Sequence, residues 1–254
     1  MSTDGDGRSA VGTGAGRGPG TGAAGVGAGG TGAAGASPGA GGRPVSEALH
    51  LIRRRLDALP PGRGNGYWLP ARTDRPRRAY IAANSPLLRA AAEHAGLPPA
   101  LLAGIAWQEV QGLPRAVDDI AYAVRRVLRY VAPGPLARRV RDADKTSMGP
   151  LAVQVRRAAE VLGYDPGALG GRQRRVVVRA VREPRQNVFI AAAYLAMLRT
   201  ECDFAAVPAE RLTPDQLQEL AARYNGGPHY RVPAAQRYGR AFARDLAAAR
   251  AALG

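Results

Sequence analysis

From Tyr80 onward, apolar residues recur at the three-and-four spacing of a helix, and no run alternates with the period of a half-buried strand. This periodicity restricts the fold more than any single motif, because a chain without strands must bury its apolar stripes helix against helix. It predicts an all-α protein, with helices near 86–95, 99–111, 115–131, 135–142, 150–162, 172–182, 186–201, 214–224 and 233–252. Several ends carry their own chemistry. Pro98 and Pro99 suit a first helical turn, where no amide donor is needed. Thr213-Pro214-Asp215-Gln216 reads as a capping box with proline at the first helical position, and Asn225-Gly226-Gly227-Pro228 stops the same helix. Val176, Val177 and Val178 form the one locally β-prone spot.

The segment before this pattern has a different character. Its first 42 residues hold 17 of the 33 glycines, and Gly-Thr-Gly-Ala-Ala-Gly occurs twice, from Gly20 and from Gly30. Such a stretch buries too little apolar surface to offset its backbone entropy, so residues 1–44 are expected to be a disordered Gly/Ala-rich tail. Residues 45–79 read as an appended basic helix, opened by Ser46 and Glu47 and carrying Arg53, Arg54 and Arg55, followed by a Pro- and Gly-rich linker. Residues 80–254 are then the folded domain.

Asp4 and Asp6 balance Arg8 and Arg17, so the whole formal charge of +16 lies beyond the tail. A polyanionic partner follows, whether nucleic acid, anionic lipid or an anionic wall polymer. Cys202 is the single cysteine, which excludes an intrachain disulfide and a cysteine-based zinc site. His50, His94 and His229 lack metal-ligand spacing, so neither metal nor cofactor is expected. No segment has the ~20 apolar residues of a membrane span, and the N-terminus lacks the apolar core of a secretory signal.

One acid sits where acids are costly. On a wheel of Leu101–Gln111, Leu101, Leu102, Ile105 and Ala106 form an apolar arc that includes Glu109, with Gly104, Gln108 and Gln111 opposite. Burial there raises a carboxyl pKa, as a general acid working near neutral pH requires. The wheel by itself favours a plainer arrangement, a glutamate at the stripe's edge paired with one of the many arginines, because structural ion pairs are common. Two loop-like segments stand further along the chain: Asp144 to Gln154, a glycine-containing turn entering a helix, and Ala222 to Pro228, ending one with tyrosine, asparagine and two glycines.

The order Leu102-Ala-Gly-Ile-Ala-Trp-Gln-Glu109, Ser147-Met-Gly149, Asn187 to Ala193-Tyr194-Leu195 and Ala222-Arg-Tyr-Asn-Gly226 resembles the lytic transglycosylases of the lysozyme-like superfamily, over about residues 84–245. The resemblance implies a lysozyme-like helical domain that cleaves peptidoglycan strands at the MurNAc–GlcNAc bond, as a monomer, without metal or cofactor. Glu109 would be the single acid and base. Ser147 and Gly149 would line the sugar site, Tyr224 and Asn225 would face the glutamate or the substrate's acetamido group, and Tyr194 would support the site from below. The family's glutamine would fall on Ala152, so Gln154 is expected to take over its contact or the contact is lost.

The chemistry so implied is proton donation by Glu109 to the glycosidic oxygen, followed by closure of a 1,6-anhydro ring. A cell-wall or extracellular location follows from the same resemblance. A hydrolytic lysozyme would need a second carboxylate, for which Asp118, Asp119, Asp142 or Asp144 stand between the first two motifs. A glycan binder without catalysis and a nucleic-acid-binding helical protein are the other readings; the Arg-rich helices and a sequence pI near 11.2 support the latter.

Overall fold

The computed structural model describes residues 46–61, 73–110 and 145–254. The glycine-rich tail, most of the expected linker, the helices expected at 115–131 and 135–142, and the four aspartates considered as partner acids lie outside the described residues.

The protein is all-α. Its described helices are α1 (Glu47–Asp57), α2 (Asp74–Ala83), α3 (Ser85–His94), α4 (Pro99–Glu109), α5 (Val155–Val161), α6 (Gly171–Arg182), α7 (Pro184–Thr200), α8 (Pro214–Gly226) and α9 (Pro233–Leu253). A two-stranded antiparallel ribbon, β1 (Ser147–Met148) and β2 (Val153–Gln154), precedes α5. The valine run at 176–178 is helical within α6, its residues 177 and 178 buried, so tertiary packing overrides the local preference.

Two long helices organise the packing. α7 touches α1, α3, α5, α6 and α8, while α9 packs along α4, α8 and α2. α4 is enclosed: every residue from Leu101 to Trp107 is buried, leaving no solvent face to carry polar residues. Gly104, placed by the wheel on the polar side, instead meets α9, where a Cβ would come within 2.3 Å of Phe242 Cε2. Gln108, on the same side, donates to Asp245 of α9 at 3.1 Å. Gly239 plays the matching part between α9 and α8, since a Cβ there would lie 2.9 Å from the Gln218 carbonyl oxygen. Both crossings are closer than a side chain would allow.

Three boundaries differ from expectation. α1 is not an appendage: Leu49, Ile52 and Leu56 are buried against α7, and Arg185 of α7 donates to the carbonyl oxygens of Leu56, Leu59 and Pro60. α2 runs through residue 80 and packs on α3, α4 and α9, so no boundary falls there. α2 occupies residues expected to be linker; its Pro76 sits in the first turn, where a missing amide donor costs nothing. The helix expected from residue 150 begins only at Val155, because the residues before it form the ribbon.

The capping box at Thr213 is present as expected. Gln216 N donates to Thr213 Oγ1 at 3.3 Å, and Thr213 N donates to Gln216 Oε1 at 2.9 Å. Ser46 likewise caps α1 by accepting from Leu49 N.

Candidate active site

α4 is apolar and enclosed up to Trp107, and of the two polar residues that end it, Gln108 turns to Asp245 of α9 while Glu109 faces open space. Glu109 emerges there into a cleft of about 160 Å³ walled by the ribbon, the start of α5, Tyr194 of α7 and the end of α8. That volume is below the ~300–1,000 Å³ that encloses a drug-sized ligand. Glu109 opens onto the cleft, yet protein crowds its carboxyl on the remaining sides. The loss of water pushes its pKa up to about 7, with a hydrogen bond from Tyr238 opposing the rise. Tyr238 Oη, on α9, donates to Glu109 Oε1 at 2.7 Å. Glu109 Oε2 has no hydrogen-bond partner among the described residues. The tyrosine therefore orients one oxygen and leaves the other to carry a proton. Burial and the nearby Glu109 both hold the Tyr238 and Tyr224 phenols well above their ordinary pKa, so each is a neutral donor.

The ribbon forms one wall. Ser147 pairs with Gln154 and Met148 with Val153. Side-chain burial alternates along each strand: Ser147 and Gln154 are half-buried and line the cleft, Met148 is buried away from it, and Val153, though buried, borders it as well. Ala152 also lines the cleft, with a left-handed φ of +49° that costs a non-glycine residue roughly 1–3 kcal/mol. What enforces that turn is Asn187, fully buried on α7. Its Oδ1 accepts from Leu151 N at 2.9 Å, and its Nδ2 donates to the carbonyl oxygens of Met148 and Val181 at 2.9 and 3.0 Å. Tyr224 Oη adds a bond to the Leu151 carbonyl oxygen at 2.6 Å, tying α8 to the same turn.

Gly149 is corrected by this geometry. It is not among the residues lining the cleft; it serves the turn, with φ +76° and no room for a Cβ, which would lie 2.3 Å from Asn187 Nδ2. The departure at Ala152 also takes a definite form. Residues 152 and 154 are two apart near a strand, not on a helix, so both reach the cleft and Gln154 supplies an amide there. Its Oε1 accepts from Arg156 Nε at 2.9 Å.

The facing wall is the end of α8. Tyr224 packs its ring 5.7 Å from that of Tyr194, and exposed Asn225 follows on the cleft rim. Tyr224 does not touch the glutamate with its hydroxyl, which is engaged by Leu151; the tyrosine bonded to Glu109 is Tyr238. Gly226 and Gly227 permit close packing: a Cβ at the first would meet Ala235 Cβ at 2.7 Å, and the second has φ +55°.

No family model, curated protein or solved structure matches this chain.

Six of the seven side chains expected at a site thus meet in one cleft: Glu109, Ser147, Gln154, Tyr194, Tyr224 and Asn225. Sequence reasoning missed Tyr238, Arg156 and Arg157, and gave Asn187 no role of its own. Tyr238 flanks the buried stripe of Ala235, Gly239 and Phe242 on α9, a position that marks packing but not a partner 129 residues away. Glu109 is the one carboxylate lining the cleft among the described residues. Also among them, no group of histidine, cysteine and carboxylate side chains could hold a metal ion, and no helix is long and apolar enough to cross a membrane.

Proposed function

We propose that this protein is a lytic transglycosylase that cleaves peptidoglycan with Glu109 as its acid and base. The observation that carries the reading is the state of that carboxyl: desolvated, its pKa raised to about 7, held at Oε1 by a neutral tyrosine and, among the described residues, without a partner at Oε2 where it opens onto the cleft. A carboxyl that is about half protonated at neutral pH can both give and take a proton, which is the requirement when a single group serves two steps.

In the first step the proton on Oε2 passes to the glycosidic oxygen between N-acetylmuramic acid and N-acetylglucosamine as the bond from the muramic C1 to that oxygen breaks. In the second, the resulting carboxylate removes the proton of the muramic C6 hydroxyl as its oxygen bonds to C1. This closes a 1,6-anhydro ring, regenerates the acid and consumes no water. Ser147, Gln154 and Asn225 supply hydroxyl and amide groups suited to sugar hydroxyls and acetamides. A hydrolase ordinarily uses a second carboxylate, and the four aspartates considered for it lie outside the described residues.

The test is digestion of purified peptidoglycan, with the released muropeptides analysed by mass spectrometry and Glu109→Gln as control. Anhydro-ended products that vanish in the variant are expected. Reducing-ended products would assign hydrolysis instead. An inert wild-type protein, or an unaffected variant, would overturn the catalytic reading.

A further inference from the structure

Arg157 is held on the cleft wall more firmly than a surface arginine. Its Nη1 donates to both oxygens of Glu160, at 2.9 and 2.8 Å, and its guanidinium lies 5.6 Å from the centre of the Tyr194 ring. Those contacts fix one end and one face. Nη2 has no hydrogen-bond partner among the described residues and abuts Gly227, whose missing side chain makes the space: a Cβ there would sit 2.8 Å from it. Arg156 lines the same cleft, with no ion pair among the described residues and a single hydrogen bond to Gln154.

The cleft therefore presents two guanidinium groups against one carboxyl that stays largely protonated below about pH 7. Glu160 offsets the charge of Arg157 from its Nη1 side, whereas Arg156 has no carboxylate beside it among the described residues; hydroxyls and acetamides alone would shield that charge from water without compensating it, at a cost. A ligand carboxylate would accept from Arg157 Nη2 and bring a counter-charge to Arg156. Arg157 is also pre-oriented, so little side-chain freedom is lost when the ligand arrives.

We propose that Arg157, assisted by Arg156, is a specificity-determining residue that recognises a carboxylate of the muramic unit seated beside Glu109. The proposal rests on the glycan-cleaving reading above and names the residue that would select its substrate. In a muramic-acid polymer the carboxylate has two sources, the free lactyl group of a peptide-free strand or a carboxylate of an attached peptide.

The full-length chain carrying Glu109→Gln, which binds without turnover, is titrated calorimetrically with four oligosaccharides. These are neutral chito-oligomers, peptide-free muramic oligomers with free lactyl carboxylates, the same oligomers with those carboxylates amidated, and peptide-bearing strands. At least about tenfold tighter binding of a carboxylated ligand over the neutral one is expected, the scale of a charge-assisted hydrogen bond. Adding Arg157→Gln should abolish this preference while leaving neutral-ligand affinity in place, and Arg157→Lys should retain part of it. Loss of the preference on amidation identifies the lactyl group; its appearance only with peptide-bearing strands identifies the peptide. Equal affinity for neutral and carboxylated ligands, or an equal loss for both in Arg157→Gln, overturns the proposal. If Arg157→Gln does not fold, the same comparison is made with Arg157→Lys and Arg156→Gln, and unchanged discrimination in both overturns it. The two readings fail separately. A wild-type protein that cuts no glycan yet discriminates through Arg157 loses the enzyme, and one that cuts neutral and carboxylated polymers alike loses the carboxylate site.

Discussion

Replacing Tyr238 by phenylalanine removes one hydroxyl from the site and keeps the ring. That hydroxyl donates to Glu109 Oε1 at 2.7 Å, and it stabilises the ionised carboxylate more than the neutral acid. A hydrogen bond to a charged group contributes about 1.5–3 kcal/mol. At ~1.36 kcal/mol per pKa unit, its loss should raise the Glu109 pKa by ~1–2 units. The carboxyl should then titrate near ~8–9 in place of about 7. The direct measurement follows the side-chain carbonyl carbon by NMR in protein labelled with ¹³C-glutamate, using Glu109→Gln to assign the signal. If the enzyme needs the protonated form, its activity on the alkaline side should persist to higher pH in Tyr238→Phe, even as the loosened carboxyl lowers the maximal rate. A Glu109 titration that stays near 7 or moves downward would refute the argument that Tyr238 opposes the effect of burial.

Stability should record the same carboxyl. Its folded pKa, about 7, lies above the ~4.3 of an unfolded glutamate, so between these values the folded state binds more protons and stability falls as pH rises. Glu109→Gln should remove this slope, gaining about 3 kcal/mol relative to wild type between about pH 5 and about pH 8 in urea denaturation. Asn187→Ala leaves a buried amide and two carbonyl groups without their partner, and should cost about 3 kcal/mol or more while abolishing any activity through the ribbon. Leu49→Ala should lower stability by about 2–5 kcal/mol in thermal or denaturant unfolding, because α1 belongs to the core; an unchanged protein would restore the appended-helix reading.

What was legible in the sequence follows from the range over which each signal acts. The capping box at Thr213 and the apolar arc of α4 that carries Glu109 are local, and both were readable from a few neighbouring residues. α2 was hidden by Pro76, which punctuates a sequence even where the first helical turn tolerates it. The ribbon escaped because two residues per strand are too few to set up an alternation. Gly104 misled in a different way: on a wheel it counts as polar or neutral, although here its value lies in having nothing to place against Phe242. The cleft residues at 109, 147, 154, 194, 224 and 225 could be gathered from the order of motifs, but their separate duties could not. Tyr238 and Arg157 depend on contacts between helices, which no local pattern encodes.

The pairing of Ser147 with Gln154 gives the ribbon wall a parity. Half-buried and buried side chains alternate along each strand, and the turn between them is clamped by Asn187. Losing or gaining a single residue between Gly149 and Ala152 would therefore do more than shorten or lengthen a loop. It would shift the register by one, turning Val153 outward and burying Gln154, so a polar wall would become a greasy one. A change of two residues keeps the alternation intact. Length variation in this turn is thus expected to be tolerated in even steps, and a single-residue indel there should be more harmful than most substitutions within it.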